Sequence, residues 1–233
     1  MAAGLCRGRE VRNGPADVSP TEPVKTSKGQ SITLPSRAAV MVLPNTLLFP
    51  DSLLPLMIFE PRYRAMLAWA LENERVFCVA LLRQGREDWS SPEDFHHVAG
   101  LGLLRACVEH EDGTSHLILQ GLVRVEFTGF VQTAPFPIAE IREVPVASAK
   151  ADEAATLSAI VLELCAQHRA SGLVIPDALD QQFAQVRDAG VLSDLVAHTL
   201  LRDPYRRQSV LEAGNVSTRL RTLITHLRDE LPQ

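Results

Sequence analysis

Two hydrophobic patterns divide the chain. From Ala38 to about Pro145, apolar residues alternate with polar ones or form short β-branched runs, which is typical of strands. From Ala151 onward, apolar residues recur every three or four positions, which is typical of amphipathic helices. The first 36 residues show neither period and are rich in Gly, Pro, Ser, Thr and charge. The sequence therefore predicts a disordered tail over 1–36, a β-barrel subdomain over 37–147 and a helical bundle subdomain over 148–233.

The barrel subdomain is predicted to contain a series of strands and one helix. The predicted extended segments are Ala39–Leu43, Thr46–Phe49, Leu53–Phe59, Arg75–Arg83, Val98–Glu109, Thr114–Gln120, Leu122–Phe130 and Phe136–Val144. Asp112-Gly113 is a tight-turn signal, so a hairpin is expected there. Arg124 and Glu126 alternate with valines, as in a strand with one face in water. These segments together predict a closed or half-closed barrel.

The prolines between Leu43 and Met66 shape this part of the chain. Pro44, Pro50 and Pro55 each remove an amide donor, so none of them is expected inside a central strand. Pro61 stands where a helix can begin, and that helix is predicted over Pro61–Asn73. Its buried face is predicted to carry residues spaced as on one side of a helix, namely Tyr63, Met66, Leu67 and Ala70. Glu60 is expected at the helix mouth, within reach of Arg64.

Five amphipathic helices are predicted after Ala151. Leu157, Val161 and His168 belong to one face of the first. The expected boundaries are a cap at Asp177, a break at Gly190, an Asp203-Pro204 helix start and a cap at Asn215. The links are short, so the helices are expected to form a compact bundle.

Composition excludes several classes of protein. The hydrophobic content of 46% and charged content of 22% are ordinary for a globular chain, and the net charge of −5 argues against general polyanion binding. No run approaches the length of a membrane span, and the N-terminus lacks the apolar region of a secretory signal, so the cytoplasm is expected. The cysteines show no C-x-x-C spacing, and Cys78 and Cys107 are predicted to be buried reduced thiols.

A family resemblance rests on the segment 43–66, LPNTLLFPDSLLPLMIFEPRYRAM. This segment closely resembles the opening motif of the Lon protease N-terminal domain. Weaker similarities follow at the glycine-led stretch Gly100–Arg105, at Gly121-x-x-Arg124 and at Pro204–Glu212. The resemblance covers about 38–231, which is nearly all of the chain outside the tail.

The resemblance implies a fold and a role. The implied fold is α+β, with a PUA-like β pseudobarrel followed by a C-terminal α-helical bundle. In that family the domain recognises substrates for an ATP-dependent protease, and it also occurs alone as a small bacterial protein. The sequence has no G-x-x-x-x-G-K-[ST] phosphate loop. The family's protease activity uses a Ser-Lys pair in a separate domain, and Lys150 is expected to be a lone linker residue rather than part of such a pair. We therefore expect no enzyme activity, no catalytic residue, no cofactor and no metal.

The expected function is polypeptide binding. Leu47, Phe49 and Leu54 are the predicted ligand-binding residues, because large apolar side chains are concentrated in a segment divided by prolines. The alternative is that Leu47, Phe49, Leu56, Ile58 and Phe59 simply fill the barrel. The implied partners are unfolded or client polypeptides, with a recruited protease or chaperone as an open possibility.

An RNA-associated role is the alternative function, because PUA-like barrels include RNA binders. The residues that could form a phosphate-binding patch are Arg202, Arg206, Arg207, Arg219 and Arg221. Their competing interpretation is a solvated helix face, which the net acidity and the small number of aromatic residues favour. Nucleic acid is therefore not an expected partner.

Two further groups of residues contain the side chains of a metal site or a catalytic triad. His96-His97 with His110 and His116 across the hairpin could assemble a metal site, but their spacing matches no zinc arrangement. Ser193, Asp194 and His198 could be drawn as a catalytic triad, but no G-x-S-x-G nucleophile elbow accompanies them. Neither cluster is predicted to be functional.

Overall fold

The computed structural model describes residues 4–5, 23–25 and 31–231. The chain divides into two compact units, the first ending at Glu143 and the second beginning at Val144. The predicted tail over 1–36 lies largely outside the described residues, and the three-part division of the chain stays a prediction. Among the described helices, none is long and apolar enough to cross a membrane.

The first unit contains a mixed sheet and one α-helix. Its described strands are β1 Gly4–Leu5, β2 Pro23–Lys25, β3 Ser31–Thr33, β4 Arg37–Leu43, β5 Leu53–Ile58, β6 Val76–Leu81, β7 Val98–Glu109, β8 Ser115–Gln132 and β9 Ile138–Glu143, and its helix is α1 Pro61–Glu72. The main sheet has the order β1-β7-β6-β4-β9-β8-β5, while β2 and β3 pair separately.

An additional pairing of β7 with β8 closes the sheet on itself. The ring runs β7-β6-β4-β9-β8 and returns to β7, with β4 and β6 parallel and its other neighbours antiparallel. Strand β5 lies outside the ring and pairs only with β8 among the described strands. With the helical second unit, this closed ring confirms the predicted α+β fold, a β pseudobarrel followed by a helical bundle.

Strands β4 and β6 are apolar on both faces because each face packs against a core. One cluster includes Val40, Cys78 and Leu101. The opposite faces of β4 and β6 pack in a second cluster with the buried side of α1, whose members Tyr63, Met66, Leu67 and Ala70 are those predicted from the sequence. A strand buried on both faces shows a continuous apolar run, which is the pattern of β6.

The segment 47–49 forms no strand, contrary to prediction, and instead runs through the interior. Leu47, Leu48 and Phe49 are all buried. A Cβ added at Gly100 would stand 1.9 Å from the Leu48 carbonyl oxygen, and one at Gly121 would stand 1.9 Å from that of Phe49. The chain therefore passes directly over two glycines of the sheet. The sequence predicts separate strands before and after Gly121, but β8 continues through it as one strand.

The loop 83–97 is fixed by buried side chains. The Asp94 carboxylate accepts hydrogen bonds from the Ser90 and Ser91 amides, both at 2.9 Å. These hydrogen bonds lower the pKa of Asp94 to about 2. The Phe95 ring is fully buried and meets Trp89, Phe127 and Phe130 edge-on. This long connection is therefore part of the packed unit.

The electrostatics at the start of α1 differ from the expectation. Glu60 pairs with Arg62 at 2.8 Å rather than with Arg64. Arg62 also reaches Asp88 at 3.0 Å, and its guanidinium stands over the Trp89 ring. Arg62 thus joins the helix mouth to the loop 83–97, because its fork can serve two carboxylates at once.

The second unit contains five described helices, as predicted. They are α2 Ala151–Ala170, α3 Asp177–Gln185, α4 Ala189–Leu200, α5 Pro204–Glu212 and α6 Val216–Glu230. Asp203 and Asn215 cap α5 and α6 with side-chain hydrogen bonds, as predicted. Two boundaries were wrong: Asp177 is the first residue of α3 rather than its cap, and Gly190 lies inside α4, which Asp188 caps.

Two side chains differ from their sequence-based roles. Arg124 was expected on a wet strand face, but it is buried, with its guanidinium 5.9 Å from the centre of the Phe49 ring. Cys78 is a buried free thiol as predicted, and burial raises its pKa. Cys107 is also buried but is in a disulfide, so the prediction of a reduced thiol was wrong there.

The crossing over Gly121 predicts a strong effect of one methyl group. Gly121→Ala should lower the free energy of unfolding by about 3 kcal/mol, because the new Cβ meets a backbone carbonyl that cannot rotate away. Urea unfolding measures the change. Gly129→Ala on the same strand is the matched control, since its Cβ meets only the end of the Glu140 side chain, and it should change stability by less than about 1 kcal/mol. Equal effects of the two substitutions would contradict the crossing.

The hydrogen bonds to Asp94 predict a pH dependence of stability. Its folded-state pKa of about 2 lies below the ordinary value, so its carboxylate stabilises the fold above about pH 4, and this contribution is lost as the pH falls from about 4 to 2. The stability difference between the parent and Asp94→Asn should therefore be constant from pH 7 to 5 and shrink below pH 4. Thermal unfolding across this range measures it, and a difference that does not change with pH would refute the role of Asp94.

Candidate functional site

The three residues predicted to bind a ligand do not share one surface. Leu47 and Phe49 are buried, with 1% and 0% of their surface exposed. Leu54 is half-buried and packs against the core cluster beneath α1. The interior position of Leu47 and Phe49 matches the barrel-filling role left open by the sequence. The assignment of these three residues to ligand binding stays a prediction. The apolar residues that solvent can reach are their neighbours in the chain, Leu53, Met57 and Phe59.

An exposed apolar row follows immediately in the chain. Leu53, Met57 and Phe59 expose 59%, 51% and 59% of their surface, and Pro55 between them is also exposed. We call these four residues the β5 strip. Because they are spaced by two along an extended segment, they point to the same side over roughly 20 Å. Large apolar side chains in a contiguous exposed row mark a candidate interaction surface.

The strip is exposed because β5 has one row of residues facing inward and one facing water. Leu54 and Leu56 pack against the core, and Ile58 is buried. The pairing with β8 places Leu53 opposite Gln120 and Met57 opposite His116, which is exposed. The inward row fixes the strand to the unit, so the outward row is presented on a rigid support.

The backbone of β5 also has an open edge. The Gly121 amide donates to the Ser52 carbonyl at 2.9 Å, and hydrogen-bonded positions alternate along an antiparallel ladder. By this alternation Leu53, Pro55 and Met57 direct their backbone groups away from β8. Pro55 has no N–H to offer there, and proline on an edge disfavours the addition of another strand. Side chains rather than backbone groups are therefore the main contacts available at this edge.

The arginines considered for RNA binding do not form a free basic surface. Arg219 is buried and lies 3.4 Å from the Asp194 carboxylate. Arg206 lies within 4 Å of Asp229 and Glu230, and Arg221 is 2.9 Å from Glu153. Arg207 is half-buried, and burial lowers its pKa. Arg202 and Arg221 are exposed, as on the solvated helix face of the competing interpretation, whereas the buried Arg219 fits neither interpretation. No observation favours the RNA-associated role.

The residues drawn as a catalytic triad do not have its geometry. Ser193 is fully buried and donates its hydroxyl to the Gly190 carbonyl at 2.7 Å. Asp194 faces Arg219, and burial together with Arg207 lowers the pKa of His198. The hydroxyl is 3.5 Å from the Asp194 carboxylate of the next residue, and its shorter hydrogen bond goes to the carbonyl of its own helix.

The histidines considered for a metal site separate into two groups. His97 contacts the aromatic cluster around Phe95, whereas His110 and His116 lie together, with 2.7 Å between Nε2 and Nδ1. Within the described part of the chain, no group of three or more side chains of the types His, Cys, Asp or Glu is arranged to hold a metal ion.

Sequence reasoning missed Met57 and Phe59 as surface residues. Phe59 was named only in the alternative in which apolar residues fill the barrel, and Met57 was not singled out. The available signal was the spacing of Leu53, Pro55, Met57 and Phe59 by two, which indicates a second apolar row on a strand whose first row already supplies the core.

Comparison with known proteins finds similarity to one domain of one protein family over most of the chain. The family model of the ATP-dependent protease La (LON) substrate-binding domain matches residues 37–229. The Lon protease of Desulfosudis oleivorans is 24% identical over 213 residues, covering 91% of this chain and 26% of that protein. The Lon protease of Koribacter versatilis is 29% identical over 189 residues, covering 80% and 23%. The chain thus spans about a quarter of the length of these relatives.

Solved structures support the same assignment of the fold. The N-terminal domain of the Mycobacterium avium complex Lon protease has a TM-score of 0.66 at 18% identity, covering 84% of this chain and 100% of that one. A Lon N-terminal domain protein from Xanthomonas campestris has a TM-score of 0.58 at 16% identity, covering 81% and 97%. With a family match over most of its length and a barrel-plus-bundle fold shared with these structures, the chain belongs to the Lon substrate-binding domain family.

Proposed function

We propose that this chain is a non-catalytic polypeptide-binding module and that the β5 strip contacts apolar segments of unfolded client chains. The observation that carries the proposal is the exposure of Leu53, Met57 and Phe59, each more than half open to solvent on one side of an edge strand. Membership in a substrate-binding domain family supports the same role. An unfolded chain exposes apolar side chains that a folded protein buries, which is the chemistry complementary to such a strip.

The size of the strip is consistent with weak and reversible binding. Fully burying a large apolar side chain gains about 1.5–3 kcal/mol, so covering the exposed halves of three gains on the order of 3 kcal/mol. Association costs several kcal/mol in lost freedom of motion. A client therefore needs further contacts or several apolar segments for tight binding. Such weak binding suits a module that accepts many different sequences and releases them again.

In this proposal the strip recognises side chains with little help from backbone pairing. Pro55 removes the central amide donor of the open edge, so a client strand gains at most an interrupted ladder there. Recognition through apolar side chains is tolerant of sequence, because apolar burial has no directional requirement. The same proline limits edge-to-edge association between copies of the chain.

We assign unfolding and cleavage of clients to a partner protease or chaperone in the cytoplasm. The sequence contains no G-x-x-x-x-G-K-[ST] phosphate loop, and the family match is to the substrate-binding domain. Both the partner and the cytoplasmic location are part of the proposal.

Substitutions on the strip should weaken client binding. Met57→Asp and Phe59→Asp each place a charge on the apolar contact, and each should weaken the affinity for a permanently unfolded model polypeptide by about fivefold or more, equivalent to about 1 kcal/mol. Fluorescence anisotropy of the labelled polypeptide measures the affinity, and circular dichroism checks the fold of each variant.

Val131→Asp is the matched control for these substitutions. Val131 exposes 47% of its surface in the same unit but lies outside the strip. It should change the affinity by less than twofold. If all three variants bind equally, or if the parent binds the unfolded polypeptide no better than it binds a folded control protein, the proposed function is wrong.

A further inference from the structure

Two imidazoles meet on the outer face of the β7–β8 hairpin. His110 Nε2 and His116 Nδ1 are 2.7 Å apart, and the rings are nearly perpendicular, with centroids separated by 4.9 Å. Both side chains are exposed. His116 pairs with Val108 in the ladder, so His110 is its diagonal neighbour on the same face. The pair is thus held by strand register across the hairpin.

The hairpin turn fixes the spacing of the two residues. The Asp112 carboxylate accepts hydrogen bonds from the Thr114 amide at 2.9 Å and the Thr114 hydroxyl at 2.7 Å. Gly113 supplies the positive φ that the turn needs, and the His110 amide donates to the Thr114 carbonyl. The backbone beneath both imidazoles is therefore well defined, while their exposed rings remain free to rotate.

The geometry points to a copper(II) site formed by His110 and His116. At metal–nitrogen bonds of about 2.0 Å, cis ligands of a square-planar ion lie about 2.8 Å apart, and ligands of a tetrahedral ion lie about 3.3 Å apart. The observed 2.7 Å is the length of a hydrogen bond between the two rings, and it shows that the two nitrogens are close enough to bind one ion together. Square-planar coordination by nitrogen is characteristic of Cu²⁺ or Ni²⁺, and Cu²⁺ binds more tightly to a given site of this kind.

Binding requires only a tautomer change and a small rotation. In the hydrogen-bonded pair, one of the two facing nitrogens carries a hydrogen. That ring shifts its hydrogen to its other nitrogen, so both facing nitrogens become free to coordinate with no change in net charge. Each ring then turns so that both lone pairs point to one ion, and water fills the remaining positions.

The surroundings add a soft donor and negative charge. Met57 pairs with His116 in the β5–β8 ladder and is exposed on the same face, so its thioether lies within reach of an ion beside His116. A thioether is a soft donor that binds copper, most strongly as Cu⁺, in preference to Mg²⁺ or Ca²⁺. Glu109, Glu111 and Asp112 carry negative charge at the turn, and Arg64 is a positive charge near Asp112.

Titration of the full chain with CuSO₄ in a weakly coordinating buffer at pH 7.5 tests the site. We expect one Cu²⁺ to bind with a visible d–d absorbance and an electron paramagnetic resonance signal of nitrogen ligation. Zn²⁺ should bind at least about tenfold more weakly.

Single substitutions decide whether this pair is responsible. His110→Ala and His116→Ala should each weaken Cu²⁺ binding by about tenfold or more, while His96→Ala, which leaves the pair intact, should change it by less than twofold. Both histidines of the pair are exposed, so the variants should remain folded by circular dichroism. Copper binding that survives both substitutions, or an absence of any nitrogen-ligated signal in the parent, overturns the site. The test is independent of polypeptide binding, because no client is present.

Discussion

The contact on which the first unit depends is the passage of Leu48 and Phe49 over Gly100 and Gly121. Each glycine lies so close to a carbonyl of the crossing segment that a Cβ would stand 1.9 Å from it. This approach lets the chain carry three large apolar side chains into the interior and still close β7 against β8. Glycine in mid-strand normally weakens a sheet, so its presence here reflects a steric requirement of the crossing.

The crossing also determines which residues remain outside. With Leu47, Leu48 and Phe49 already inside, β5 contributes only its inward row to the core. Its outward row, Leu53, Pro55, Met57 and Phe59, stays at the edge of the sheet. The same short stretch of sequence thus supplies both the interior support and the exposed apolar surface. A binding surface placed on a strand anchored in this way moves little when a client is bound or released.

Much of the fold could be predicted from the sequence, because local patterns matched the tertiary structure. The spacing of Tyr63, Met66, Leu67 and Ala70 predicted the buried face of α1, and Asp203 and Asn215 predicted two helix caps. The failures have tertiary causes. Gly121 looked like a break because its role depends on a segment more than 70 residues away in sequence, and Arg124 looked solvent-facing because strand alternation does not reveal the buried Phe49 ring beside it.

The site was only partly predictable for the same reason. The sequence located the apolar segment but could not tell which of its two rows faces inward, since that depends on pairing with β8. It also could not show that Arg62 joins Glu60 to Asp88 in place of the expected Glu60–Arg64 pair. The arginines of the second unit were equally ambiguous, because their carboxylate partners lie on other helices.

Site-directed photo-crosslinking is the most direct test of the central claim that the β5 strip contacts client polypeptides. A photoreactive side chain is placed at position 53 or 59 in turn, and at position 131 as a reference, and each protein is irradiated with an unfolded polypeptide. The strip predicts crosslinks from positions 53 and 59 that an excess of unlabelled unfolded polypeptide removes, and few from position 131. Crosslinks that are equally frequent from all three positions, or absent from 53 and 59, would contradict it.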